Sequence, residues 1–320
     1  MHLAKLTSFF LIGVLCLACS GKRPADADNV AATASRPAIT FNADSALNLV
    51  REQCDFGPRV PGTQAHELCL QWIMDRAAQV GAEVTTQKGV VTAFNGVPLN
   101  ITNVMASFLP QKQQRILLLA HYDSRPWADN DPNRDNRKKP VMGANDGASG
   151  VAVMLELARA LQGSDLPVGI DMLFVDAEDY GDAGDDASWA LGTQFWAGSD
   201  LAKDYHPMHA ILLDMVGATG AQFGFEYFSM QYAATTASAV WDAAASAGYS
   251  AYFVRKPSGA ITDDHVTLCR AGIPCIDIID LRGSGFFPQW HTVDDTIQVI
   301  DPATLKAVGQ SLVAFITSLN

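Results

Sequence analysis

At 320 residues, 48% hydrophobic and 18% charged, the chain holds enough apolar material for one sizeable core, in the proportions of a soluble globular protein. Its formal net charge of −12 argues against a nucleic-acid partner, because no basic stripe is available to neutralise phosphates. The main Lys/Arg run, Arg134 to Lys139, is short, interrupted by Asp135, and reads as a solvated loop.

In chain order, Lys5 precedes an apolar run from Leu6 to Ala18, then Cys19, then the polar stretch Ser20 to Pro37. A run this short and flanked this way reads as a signal peptide over residues 1–18 rather than a membrane span. Small Ala18 before Cys19 is similar to a bacterial lipoprotein cleavage site, although Cys16 stands where leucine is usual. The expectation is an exported chain on the periplasmic side, touching the membrane only through lipid on Cys19. A flexible tether over residues 19–37 and a single folded domain over 38–320 would follow.

The segment from Phe41 to about Gly81 reads as helical, with Leu47, Val50, Leu68, Leu70, Trp72 and Ile73 as apolar positions and a turn at Gly57 to Gly62. Apolar runs at Arg115 to Ala120, Ile170 to Val175, Ala210 to Leu213 and Pro274 to Ile279 suit strands buried on both faces. Helical stripes lie at Gly147 to Leu161, Tyr232 to Ala247 and Pro302 to Leu319. Strands alternating with helices predict an α/β fold: a mixed, mainly parallel twisted sheet with helices on both faces. Cys54, Cys69, Cys269 and Cys275 remain beyond the export segment. Local disulfides, Cys54 with Cys69 and Cys269 with Cys275, and small buried thiols are both open readings.

Ligands of such sheets bind beyond the carboxyl ends of the strands. There the sequence sets His121 and Asp123, then Asp176, Glu178 and Asp179, then Asp214; Asp146 precedes a helix, and His291 follows the last strand after a loop. Singly, Asp146 could be a helix cap, Asp176 and Asp179 loop acids, and the histidines core residues. Gathered at one sheet edge, the carboxylates would repel one another, and a divalent cation relieves this. Imidazole with carboxylate suits zinc.

His121-Tyr122-Asp123-Ser124, the run Gly143 to Gly150, Glu178-Asp179, Asp214 and Trp290-His291-Thr292 resemble, in order and spacing, the motifs of the zinc aminopeptidase superfamily. Within it the chain looks most like the animal-type glutaminyl cyclases that also occur in bacteria. The likeness runs from about Phe56 to the C-terminus and implies a zinc exopeptidase-like fold. If the chain is a cyclase, the resemblance implies one zinc on Asp146, Asp179 and His291, with Glu178 moving protons and Asp214 and Asp263 as an acidic hydrogen-bonded pair. It would then act on peptides or proteins beginning with glutamine. Trp189, Phe286, Phe287 and Trp290 would wall the pocket, although each aromatic could equally be core. If the chain is a di-zinc aminopeptidase, a second ion would use His121 and Asp214, with Asp146 bridging. A carboxylate-rich binding protein that kept the fold without the chemistry is the non-enzyme alternative; the presence of Glu178 speaks against it.

Overall fold

The computed structural model describes residues 39–283 and 285–319. The expected signal peptide, Cys19 and the expected tether lie outside the described residues. The chain opens with α1 (Ala43–Asp55) and α2 (Gln64–Gln79), each started by a side chain that satisfies orphan backbone donors. Asn42 accepts from the N–H groups of Asp44 and Ser45, and Thr63 from that of His66. Between the helices, Gly57 and Gly62 take the left-handed backbone (φ 99° and 85°) that the predicted turn requires.

A hairpin follows, β1 (Glu83–Thr92) and β2 (Pro98–Phe108), then β3 (Arg115–His121), α3 (Ala148–Leu161) and β4 (Gly169–Val175). The second half carries α4 (Leu191–Ala197), α5 (Asp200–Lys203), β5 (His209–Leu213), β6 (Phe223–Phe225), α6 (Tyr227–Ser246), β7 (Phe253–Pro257), α7 (Asp264–Arg270), β8 (Cys275–Ile278) and α8 (Pro302–Ser318). The main sheet runs β1-β2-β4-β3-β5-β8. Its β4, β3, β5 and β8 are parallel, whereas β2 lies antiparallel to both β1 and β4. β6 and β7 form a separate parallel pair.

The continuous apolar runs are explained by coverage on both faces. Along β3, Ile116, Leu118 and Ala120 join the core built with α1, α3, α6 and α8, while Leu117 and Leu119 join the opposite cluster with Leu268 and Trp196. At the start of α3, a Cβ on Gly150 would sit 2.1 Å from the Leu213 carbonyl oxygen, so only glycine lets this helix press against the end of β5.

The early turn is tied into the sheet by Arg59, which is fully buried. Its guanidinium donates to the carbonyls of Tyr122 (2.9 Å), Met142 (2.8 Å) and Gly143 (2.7 Å), and its own N–H reaches the Ser124 hydroxyl (2.9 Å). One cation thus satisfies three acceptors, two of them buried, on segments that lead to the site. The four described cysteines are free thiols, which settles the open choice against local disulfides. The Cys275 N–H donates to Cys269 Sγ at 3.2 Å, and burial pushes the Cys69 thiol up to about 12.

Candidate metal centre and active site

The carboxyl ends of the parallel strands converge as the sequence predicts. His121 ends β3, Asp176 to Asp179 follow β4, Asp214 follows β5, Asp146 precedes α3, and Asp263 caps α7. His121 Nε2 lies 3.1 Å from one Asp146 carboxylate oxygen and 3.3 Å from Asp214 Oδ1. His291 Nε2 lies 3.2 Å from Asp179 Oδ1 and 3.7 Å from the other Asp146 oxygen. Two ligand-competent triads result, His121–Asp146–Asp214 and Asp146–Asp179–His291, each with its donor atoms within 4.8 Å of one another. Asp146 belongs to both, one oxygen to each.

These side chains are all buried. Burial opposes charge on Asp146, yet His121, His291 and Arg125 hold it below the usual carboxylate range. Asp179 is pushed up by burial and by Asp146, against the pull of His291 and Arg125. Buried anions with imidazole nitrogens turned toward them form the donor set that zinc takes, so the residues fit that ion.

A second layer fixes these groups. Asp123 accepts from the N–H groups of Glu178 (3.1 Å) and Asp179 (3.2 Å), which orients both acids from one anchor. Asp295 accepts from those of Asn145 (2.9 Å) and Asp146 (3.2 Å). Arg125 donates to the Asp179 carbonyl at 3.0 Å and pairs with Asp129, whose Oδ1 lies 3.3 Å from His291 Nδ1. The guanidinium also stacks over Trp189, 4.8 Å from the ring centre. Sequence reasoning gave Asp129 and Asp295 no part in the site. The first lies in a loop with no periodic signal, and the second meets its partners across about 150 residues of chain.

The backbone is strained at the same place. Ala177, Ala190, Met215 and His291 all have left-handed φ (49° to 55°), although none is glycine. They flank Glu178, Trp189 and Asp214, or are the ligand itself, and such conformations persist where surrounding contacts over-determine them. Gly147 shows a related constraint: a Cβ there would lie 2.6 Å from His121 Cε1.

A cavity of about 200 Å³ opens beside the triads. Glu178, Asp179, Asp214 and Asp263 supply its polar wall; Trp189, Met215, Ile261, Ile279, Phe286 and Trp290 its apolar one. Trp290 stacks on His291 with ring centres 3.7 Å apart, and Phe286 packs on Trp290 at 4.3 Å. Phe287 does not line the cavity; it is 2% exposed and packs among Met215, Ala218 and Ile279. Neighbouring residues on an irregular loop need not share a face, which sequence cannot foresee.

Asp263 and Asp214 both reach the cavity, but no hydrogen bond joins them among the described residues. Asp214 meets His121, while Asp263 sits with His265 and Asp277, and His265 Nε2 contacts Glu226 at 3.1 Å. Burial, with Asp263 and Asp146, pushes Asp214 up to about 7. Glu178 lies well above the usual carboxylate range: burial is the main cause, Asp263, Asp179 and Asp264 add to it, and His121 opposes it.

These shifts fix a pH dependence for the metal-free chain. Asp214, at about 7, and Asp295, pushed by burial and Asp146 up to about 8, keep protons in the folded state that an unfolded carboxyl, with its ordinary value of 3.8, has already released. Such raised acids lose their stabilising contribution as pH rises through that window. His121 and His291, both raised above 6.5 mainly by facing carboxylates that outweigh burial, act in the same direction. Carboxylates held low, such as Asp146, matter only in acid. Chelated protein is therefore expected to melt at lower temperature at about pH 8.5 than at about pH 5, and zinc should restore more stability at the higher pH, where protons no longer compete. Thermal denaturation with and without zinc checks this; a metal-free melting temperature that rises with pH contradicts it.

Comparison with known proteins agrees with the geometry. The sequence profile of peptidase family M28 matches residues 103–316. The chain is 26% identical to the glutaminyl-peptide cyclotransferase of Bos taurus, over 96% of this chain and 94% of that protein. The crystal structure of Tannerella forsythia glutaminyl cyclase is similar with a TM-score of 0.85 and 45% identity, covering 88% of this chain and 100% of that one. A structure from Bacteroides thetaiotaomicron, described as a leucine aminopeptidase precursor, has a TM-score of 0.85 and 42% identity over 88% and 98% of the two chains. With its profile matched over most of its length and its carboxylate–histidine centre at the strand ends, the chain belongs to peptidase family M28.

Proposed function

We propose that the chain is a zinc-dependent glutaminyl-peptide cyclotransferase, which turns an N-terminal glutamine into pyroglutamate with release of ammonia. The observation that carries the reading is Glu178, a buried carboxyl of raised proton affinity on a small aromatic-walled cavity, beside the Asp146–Asp179–His291 triad. Similarity to proteins named glutaminyl cyclase supports it.

In the reaction the α-amino nitrogen bonds to the γ-carboxamide carbon of the same residue, and the carbon–nitrogen bond to the leaving amide breaks. Asp146, Asp179 and His291 would hold the zinc, whose chemistry when bound is Lewis-acid polarisation of the γ-carbonyl. Glu178 takes the proton from the attacking amine and returns one to the leaving nitrogen, so that ammonia departs. A carboxyl with raised proton affinity serves both halves, since it takes up a proton from the amine more readily than an ordinary glutamate and can then pass it to the leaving nitrogen. Asp214 and Asp263 can accept hydrogen bonds from the amide and so orient it. Trp189, Phe286 and Trp290 exclude water, which would otherwise divert the amide to glutamate.

The complete second triad, His121–Asp146–Asp214, favours one alternative, a two-zinc aminopeptidase. Zinc content and the products formed from glutamine- and leucine-initiated peptides separate the two. We further propose that the chain is exported and anchored by lipid on Cys19. A Cys19→Ser protein should then move to the soluble fraction; a wild-type mature form that is itself soluble, with its N-terminus elsewhere in the tether, would rule the anchor out.

A further inference from the structure

The cavity of about 200 Å³ holds one side chain but is smaller than the roughly 300–1,000 Å³ of pockets that enclose drug-sized ligands. A peptide whose first residue enters it must leave its remaining residues outside. A second cavity of about 380 Å³ adjoins it, and Asp186, Trp189 and Thr262 line both. Asp186 and Thr262 meet in a 3.2 Å hydrogen bond at this shared boundary. The walls beyond are α4, the turn at 186–188 and α7. Gln194 fixes one side of the groove by donating to the carbonyls of Ala187 (2.9 Å) and Trp189 (2.7 Å).

The lining of this groove carries charges of both signs. Asp186 is exposed at the boundary with the reaction cavity. Arg270 lines the groove at the last residue of α7, exposed and with no ion pair among the described residues. Asp263, the cap of α7, lines the reaction cavity, so α7 links the two spaces. From Asp263 to Arg270 the helix advances about 10 Å at ~1.5 Å per residue. An extended peptide covers that distance in about three residues at ~3.3 Å each. With the first residue in the reaction cavity, the fourth comes level with Arg270.

We infer that this groove is the subsite for the substrate chain beyond its first residue, and that Arg270 selects a carboxylate near the fourth position. The inference rests on the cyclotransferase reading and adds a specificity that the reading lacks. Asp186 opposes an acidic second residue by the same electrostatics. Both charges are exposed, so the selection is modest and sensitive to salt.

The test uses the full zinc-loaded protein and pentapeptide amides that begin with glutamine, with glutamate or lysine placed in turn at positions two to five. The readout is the ratio of kcat/KM for the glutamate peptide to that for the lysine peptide at each position. A ratio taken within one protein cancels any loss of folded enzyme. The native ratio should favour glutamate by about two- to fivefold at the fourth position, fall below one at the second, and flatten at high salt. Arg270→Gln should bring the fourth-position ratio near one, and Arg270→Glu should invert it. A ratio that is the same at every position, or that survives Arg270→Glu, overturns the subsite while leaving the cyclotransferase reading intact. Failure of every glutamine peptide to cyclise overturns both.

Discussion

Replacing Glu178 with glutamine is expected to lower turnover of a glutamine-initiated peptide by about 100- to 10,000-fold while zinc remains bound. The substitution preserves shape and removes only the ability to carry a proton. Glu178 belongs to neither ligand triad at the strand ends, so metal affinity should stay near native. Its backbone N–H is held by Asp123, so the side chain's placement should survive as well. Steady-state kinetics with metal analysis on the same sample checks the result. A variant that keeps most of its activity removes Glu178 from the reaction, and one that loses zinc makes it a ligand rather than a proton carrier.

The two histidines are expected to separate sharply. His291→Ala removes a donor of the Asp146–Asp179–His291 triad and leaves Asp129 and Asp179 without the imidazole between them. Zinc and activity should be lost together, as with a chelator. His121→Ala removes a contact of Asp146 and Asp214 from the other triad, which the one-zinc reading leaves without an ion. That variant should keep its zinc and lose much less activity, the residual loss reflecting the freed Asp214 carboxylate. Zinc content and kcat/KM for both variants decide the matter; equal losses from the two substitutions argue for two ions.

Much of this architecture was legible because burial on both faces of a sheet leaves continuous apolar runs. The four parallel strands of the main sheet and helices α3 and α8 stand within a few residues of where those runs fall. The ligands were legible for a related reason, since they follow the strand ends directly. The β1–β2 hairpin was missed because β1, Glu83–Thr92, lies at the sheet edge with roughly every second residue exposed and carries no apolar run. Short α7 gave too little periodicity to register. The start of α6 at Tyr227 was missed because its cap is Glu226, outside the usual capping residues, and its first turn exposes Tyr227. Support for the site was least visible. Arg59, Asp129 and Asp295 act through contacts between segments distant in sequence, and only the closed fold brings them together.

Mass spectrometry of zinc-loaded protein incubated with two peptides, one beginning with glutamine and one with leucine, tests the central claim most directly. The glutamine peptide should lose the mass of one ammonia, keep its length, and become resistant to N-terminal sequencing, while the leucine peptide stays unchanged. Shortened peptides with free first residues, from either substrate, would contradict the account and assign the site to aminopeptidase chemistry.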